Sequence, residues 1–152
     1  MSCDQDWCPH VTVATVVERD GKFLVVEEIA GGEPVINQPA GHLDDGESLA
    51  HAAIRETFEE TAWKVQLRHV CGVYRWRHPE NQQTFIRVSF AAKAVEYVSD
   101  SPLDNGILSA DWYSRDELEQ LGDKLRSPMV LKCVDDYLAG NHYPLELLQD
   151  VL

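Results

Sequence analysis

Residues 41–63 read GHLDDGESLAHAAIRETFEETAW, and this stretch predicts the fold of the chain. A helix would bring Glu56, Glu59 and Glu60 within an arc of about 100°, because residues three and four apart share one face. Like charges at that spacing repel each other by a few tenths of a kcal/mol per pair in an isolated helix. A bound cation would remove the repulsion, although a lone acidic triplet is more often a solvated helix face.

The other side of the predicted helix is mostly apolar and is expected to dock on a sheet. Ser48 is a good N-cap, and a tight turn is predicted at residues 44–46 just before it. Small residues at 52 and 53 leave room beside Glu56 for a ligand or a loop backbone. The expected docking face consists of Ala50, Ile54, Thr57, Phe58 and Thr61.

The whole stretch resembles the Nudix box, G-x5-E-x7-R-E-U-x-E-E-x-G-U, where U is apolar. The positions that fit are Gly41, Glu47, Arg55, Glu56, Glu59 and Glu60. Six fixed positions make the resemblance specific. Thr57, Ala62 and Trp63 depart from the pattern. A left-handed alanine costs about 1 kcal/mol more than glycine, so the turn that leaves the helix could differ. No carboxylate is lost.

Length and composition predict one folded domain over residues 1–152. Hydrophobic residues make up 44% of the chain and charged residues 26%, and the net charge is 13 − 26 = −13. This charge argues against a nucleic acid or an anionic membrane as partner. A phosphorylated substrate would therefore need a bridging cation.

The chain shows no signal peptide and no apolar run near 18 residues, so a cytoplasmic location is expected. The cysteines at positions 3, 8, 71 and 133 lack CxxC spacing and are expected to be free thiols. Cys3, Cys8 and His10 offer only a partial zinc site.

Alternating apolar residues and turn signals predict an α/β fold with a mixed β-sheet between helices. This matches the α/β/α sandwich of the Nudix fold. A capping box of Ser114 and Glu117 should begin the second helix. Strands are predicted over residues 10–17, 22–29, 35–38, 64–75 with a break near 71–72, 84–95 and 108–113, and further helices over 115–121 and 128–138.

Over nearly its whole length, the chain resembles a bacterial phosphatase branch of the Nudix family. The matching segments are HVTVATVV, GKFLVVEE, NQPAGHL, RSPMVLKCVDDYLAG and YPLELL. The resemblance implies Mg2+-dependent hydrolysis, with Mn2+ as the alternative ion. It also implies removal of phosphate from nucleoside di- and triphosphates and from the hydroxymethylpyrimidine pyrophosphate of thiamine synthesis.

The family pattern assigns the metal ligands to Glu56, Glu59, Glu60 and the carbonyl of Ala40. Glu56 is the first choice as general base, although some members use a loop residue. Arg55 is placed to pair with Glu47 and orient the carboxylates.

Substrate contacts are expected from residues around the box. Arg87 and His42 are candidates to bind phosphate, with a surface position as the alternative for Arg87. Tyr74 and Trp76 are candidates to stack on a base or pyrimidine ring, although aromatics on alternate strand positions are more often core. Many family members carry an acidic ligand six residues before a tryptophan. Here Gly106 stands six residues before Trp112, so Asp104 or a water would serve instead.

Two other functions fit the same residues. One is a pyrophosphatase for ADP-ribose or dinucleoside polyphosphates, which would differ in the loops at 77–83 and 99–106. The other is a non-catalytic nucleotide-sensing module. In each case the expected partner is a small phosphorylated molecule, with the protein a monomer or a small homo-oligomer.

Overall fold

The computed structural model describes residues 6–151. They form seven strands and three α-helices: four strands precede the first helix, three follow it, and the last two helices end the order. The strands are β1 (His10–Arg19), β2 (Lys22–Ala30), β3 (Glu33–Asn37), β4 (Ala40–His42), β5 (Trp63–Arg77), β6 (Thr84–Tyr97) and β7 (Ile107–Ser114). The helices are α1 (Leu49–Thr61), α2 (Arg115–Leu121) and α3 (Met129–Leu138), with short 3-10 turns at Gly122–Lys124 and Leu145–Leu147.

The sheet is mixed. β1 runs parallel to β6, and β6 is antiparallel to β5 on its other side. β4 pairs antiparallel with β1, while β2 pairs with both β3 and β7. β1 and β2 pair only next to their hairpin, whose turn places Asp20 and Gly21 at φ of 52° and 79°. Positive φ at both positions is typical of a tight hairpin turn.

Helices cover both faces of the sheet. On β1, Val13 packs with Ala52 of α1, and Thr15 shares a hydrogen bond with Thr57 of α1 at 2.8 Å. Val16 instead packs with Cys133 of α3. Because successive strand residues point to opposite faces, α1 and α3 lie on opposite sides of β1. The predicted mixed sheet between helices is confirmed.

The face of α1 that docks on the sheet differs from the predicted one. Ala52 and Ala53 are fully buried together with Thr57 and Thr61, whereas Ala50, Ile54 and Phe58 are only half-buried. The two alanines lack bulk, so they let the helix approach the strands closely. They belong to the core.

Both ends of α1 are defined by hydrogen bonds. Ser48 accepts one from the His51 amide at 3.1 Å, as an N-cap does. Ala62 adopts a left-handed φ of 63°, and its amide donates to Phe58 at 2.8 Å. The turn expected to differ therefore keeps the geometry that glycine would give. The buried Ala62 methyl group contributes about 0.8 kcal/mol, which offsets most of the conformational cost.

The remaining expectations concern single features. The Ser114 and Glu117 capping box is present, and the predicted break in β5 is a register shift between Val70 and Gly72. Cys8, Cys71 and Cys133 are free, while Cys3 lies outside the described residues. No helix among residues 6–151 is long and apolar enough to cross a membrane.

Candidate active site

A cleft of about 760 Å³ opens beside β4, where α1 meets the edge of the sheet. One end is lined by Ala40, Gly41, Glu56 and Glu60. The cleft continues to the end of β5 and the loop after it, to β6, and to the segment that leads into the first residue of α3. These include Trp76, His78, Phe85, Arg87, Arg126, Ser127 and Met129.

Gly41 lies against the Glu56 side chain at the acidic end of this cleft. A Cβ at position 41 would lie 2.2 Å from Cδ of Glu56 and 2.4 Å from both of its carboxylate oxygens. A side chain at this position would displace the Glu56 carboxylate, so the glycine lets β4 and Glu56 approach each other closely. The β4 backbone therefore fixes one side of the Glu56 carboxylate.

Glu56, which lines the cleft, belongs to a cluster of three carboxylates: one oxygen each of Glu56, Glu59 and Asp104 lie within 4.8 Å of one another. Asp104 comes from the loop between β6 and β7, and its amide donates to the Glu59 carbonyl at 2.8 Å. That bond docks the loop on α1. Asp104 thus supplies the acidic side chain that Gly106 cannot.

Glu60 lies beside this cluster but makes different contacts. Its side chain is buried, and Oε1 accepts a hydrogen bond from the Ala40 amide at 2.8 Å. Burial raises the pKa of Glu60 to about 9, against the lowering effect of that hydrogen bond. The structure therefore brings Glu60 and Ala40 together, with Glu60 turned toward β4.

Arg55 connects the box residues to one another. Its Nε and Nη2 donate to the two oxygens of Glu47 at 2.9 and 2.6 Å. Its Nη1 donates to Glu56 at 2.8 Å and to Glu59 at 3.1 Å. The two-point contact lowers the pKa of Glu47 to about 2. Burial raises the pKa of Glu56, although the hydrogen bond from Arg55 opposes the shift.

The cleft wall beyond the carboxylates is aromatic. Trp76 stacks on Phe85 with ring centroids 6.0 Å apart, and Phe85 stacks on His10 at 5.0 Å. His42 also lines the cleft, and its Nε2 lies 3.3 Å from Nδ1 of His10. Desolvation, followed by the nearby His10, lowers the pKa of His42 and so favours the neutral ring.

Tyr74 is not brought to this cleft, in contrast to the expectation from the sequence. Its hydroxyl donates to Asp136 of α3 at 2.7 Å, and its ring packs against the core cluster between the sheet and α3. The reason is that α3 covers this part of β5. Tyr74 therefore follows the alternative given above, in which an aromatic residue on a strand packs against the core.

Arg87 is buried in the cleft wall and is not on the surface. Asn37 and Gln38 accept hydrogen bonds from it, and Arg126 lines the cleft nearby. Sequence reasoning missed these three residues and Phe85. The sequence held one sign of this contact: the side-chain amides of Asn37 and Gln38 follow each other at the end of β3. A buried amide needs a polar partner, which here is Arg87.

Comparison with known proteins gives three findings. The NUDIX domain family model matches residues 8–133. The phosphatase NudJ of Escherichia coli strain K12 is 42% identical over 142 residues, covering 93% of this chain and 92% of the relative. A NUDIX hydrolase structure from Nitrosomonas europaea is 43% identical with a TM-score of 0.92, covering 95% of this chain and 98% of that one.

More distant structures share the fold alone. One is the NUDIX domain of Shewanella oneidensis NrtR in complex with ADP ribose, which is 15% identical with a TM-score of 0.69. The alignment covers 91% of this chain and 94% of that domain.

Proposed function

The chain belongs to the NUDIX domain family and is a hydrolase acting on phosphoric anhydrides, and from that premise we propose that a divalent cation, Mg2+ first, is required for its reaction. The observation that supports this is the convergence of Glu56, which lines the cleft, with Glu59 and Asp104 within 4.8 Å. Carboxylate oxygens are the ligands that hard cations such as Mg2+ prefer.

The donor set fits such an ion, with Mn2+ as the alternative. Glu56, Glu59 and Asp104 would hold it, and the family pattern adds Glu60 and the Ala40 carbonyl. When bound, the ion offsets charge on the phosphoryl oxygens and lowers the pKa of water. Three carboxylates facing a diphosphate would otherwise repel it.

Glu56 is the proposed general base. It lines the cleft, and it is held between the β4 backbone at Gly41 and the guanidinium of Arg55. In the metal-free protein, burial raises its pKa. In this role Glu56 takes the proton of the water that attacks phosphorus.

The proposed substrates are nucleoside di- and triphosphates and hydroxymethylpyrimidine pyrophosphate, with release of orthophosphate. Support comes from the 42% identity to a relative named as a phosphatase. The aromatic wall of Trp76 and Phe85 offers flat surface on which a base or pyrimidine ring can stack.

The test is a product assay on a substrate panel with Mg2+, repeated with excess chelator. The panel contains nucleoside di- and triphosphates, hydroxymethylpyrimidine pyrophosphate, ADP-ribose and dinucleoside polyphosphates. Orthophosphate release that stops on chelation supports the proposal. Activity that survives complete chelation contradicts the requirement for a cation. Two nucleotide fragments as products would favour the pyrophosphatase, and binding without turnover would favour the sensing module.

Substitutions test the ligand set. We expect Glu56→Gln, Glu59→Gln and Asp104→Asn each to lower turnover by orders of magnitude while the protein stays folded, because each removes charge and keeps shape. Glu96→Gln is the control, since Glu96 is exposed on β6 and pairs only with Lys64 at 3.6 Å among the described ion pairs. Loss of fold together with activity in the three variants would indicate a structural role.

A further inference from the structure

Arg87 is a buried cation that forms no ion pair with any residue between 6 and 151. Its residue is only 4% exposed, yet none of the ion pairs found among residues 6–151 includes it. Buried charges in proteins are normally paired, because an unpaired charge loses its hydration. Arg87 also lines the cleft. An anion in the cleft could therefore reach Arg87 and compensate its buried charge.

Two amides hold the guanidinium in place. Nη1 donates to Oε1 of Gln38 at 2.9 Å, and Nη2 donates to Oδ1 of Asn37 at 3.0 Å. The amide nitrogens are used elsewhere, since Gln38 donates to the Val130 carbonyl at 2.7 Å and Asn37 donates to Glu28 at 3.4 Å. Both oxygens are thereby fixed toward Arg87. Neutral oxygens orient the cation but leave its charge intact.

The guanidinium also keeps unused hydrogen-bond donors. It has five N–H groups, and its acceptors among the described residues are Gln38, Asn37 and, weakly at 3.9 Å, the Cys133 sulfur. Nε is buried from solvent and has no partner there, so the unused donor that remains for a ligand belongs to Nη2. An unused donor on a buried cation is costly unless a ligand satisfies it, and a guanidinium N–H donates well to a phosphate oxygen.

The groups around Arg87 leave its positive charge uncancelled. Glu28, the nearest acidic group in this network, is paired with Arg126, so the two charges cancel. Ser127 and Met129 at the start of α3 also line the cleft. The N-terminus of a ten-residue helix carries partial positive charge that favours anions. No acidic group in this hydrogen-bond network therefore cancels the charge of Arg87, while Glu33 and Glu80 line other parts of the cleft.

We propose that Arg87, oriented by Asn37 and Gln38, binds a phosphoryl group of the ligand without the help of a metal ion. The substrate class rests on the proposed function. A diphosphate would place one phosphoryl group at the carboxylate end and the other at Arg87, so that the second stays with the product. The subsite therefore selects molecules that carry two linked phosphoryl groups over simple monoesters as substrates.

The test is binding of inorganic phosphate in excess EDTA, measured by titration calorimetry and by the thermal midpoint, because a single phosphoryl group can reach Arg87 without meeting the metal-free carboxylates. The wild-type protein should bind saturably and melt at a higher temperature with phosphate. Arg87→Gln should weaken binding at least about 10-fold, since a charge-assisted hydrogen bond is lost. Arg87→Lys keeps the charge but not the fork and should fall between the two. Arg75→Gln is the matched control, because Arg75 is exposed on β5, and it should bind as the wild type does.

Three results would overturn the proposal: no binding and no thermal shift in the wild type, unchanged binding in Arg87→Gln, or equal weakening in Arg75→Gln. The wild-type measurement decides even where Arg87→Gln does not fold. Absence of hydrolysis with metal-free binding intact would contradict the proposed function alone. Hydrolysis without metal-free binding would contradict the Arg87 subsite alone.

Discussion

At the scale of single residues, the geometry of the acidic end depends on Arg55. One guanidinium holds Glu47 at two points and also contacts Glu56 and Glu59. The contact with Glu47 is the one that sequence spacing predicted, while its role in orientation remains a prediction. Arg55 joins Glu47 in the loop before α1 to Glu56 and Glu59 on the helix. Removing either Arg55 or Glu47 should therefore change the positions of the Glu56 and Glu59 carboxylates.

The Arg55 and Glu47 pair should act as one unit. Arg55→Ala is expected to lower kcat/KM by about 10 to 100-fold through lost orientation, and Glu47→Gln by a similar factor. The double variant should be little worse than either single one, since coupled residues give non-additive effects. The measurement is kcat/KM for all four proteins at saturating Mg2+. Losses that add within about 0.5 kcal/mol would show that the two residues act independently.

Gly41→Ala tests the close approach of β4 to Glu56. The new Cβ would lie 2.2 Å from Cδ of Glu56, so the carboxylate must move, and kcat/KM should fall by about 100-fold. Gly72→Ala is the matched control: its Cβ would lie 2.7 Å from the Tyr74 hydroxyl, outside the cleft. That variant should lose stability but keep its activity once folded. Equal kinetic losses would mean that any steric clash in the sheet has this effect.

At the scale of elements, α1 and α2 both begin with a serine N-cap, but only α1 carries residues of the candidate active site. Ser48 and Ser114 each accept a backbone hydrogen bond at 3.1 Å. We expect Ser48→Ala and Ser114→Ala each to lower the free energy of unfolding by about 1 kcal/mol. Only Ser48→Ala should also lower kcat/KM, because α1 carries the carboxylates. Denaturant unfolding and steady-state kinetics measure both effects, and a kinetic loss in Ser114→Ala would contradict this assignment.

The elements themselves were largely predictable, since strand alternation and capping are local signals. α2 has the predicted bounds, and the break in β5 is where Gly72 stands. The three-residue strand β4 was missed because its pairing with β1 is long-range. The buried face of α1 was misjudged because two alanines read as spacers while close packing made them core. Tyr74 could not be placed without knowing that α3 covers it.

At the scale of the whole molecule, stability without metal should depend on pH through Glu60. Its pKa is about 9 in the folded protein against an ordinary value of 4.5. A raised carboxyl pKa means that the folded state holds a proton that the unfolded state releases. The contribution of Glu60 to the free energy of unfolding is therefore complete below pH 4.5 and is lost as the pH rises toward 9. The wild-type thermal midpoint should fall by ~5 °C or more over this range. The slope of Glu60→Gln should be flatter.

The opposite shift of Glu47 acts only in acid, because its lowered pKa gives a contribution that is lost as pH falls below 4.5 toward 2. It therefore does not mask the slope above pH 5. Added Mg2+ should reduce the decline, since a nearby cation favours the ionised carboxylate. A midpoint that rises between pH 5 and pH 9 without metal would contradict the buried, protonated state of Glu60.

The positions of the tryptophans should make intrinsic fluorescence sensitive to ligand binding in the cleft. Trp63 and Trp112 pack edge to face 5.8 Å apart, outside the cleft, and Trp7 is 72% exposed. Trp76 alone of the four lines the cleft. A ring that stacks on it should change its fluorescence, while Trp76→Phe should silence that response and keep the aromatic surface. Ligand entry can then be timed in a stopped-flow instrument without a label.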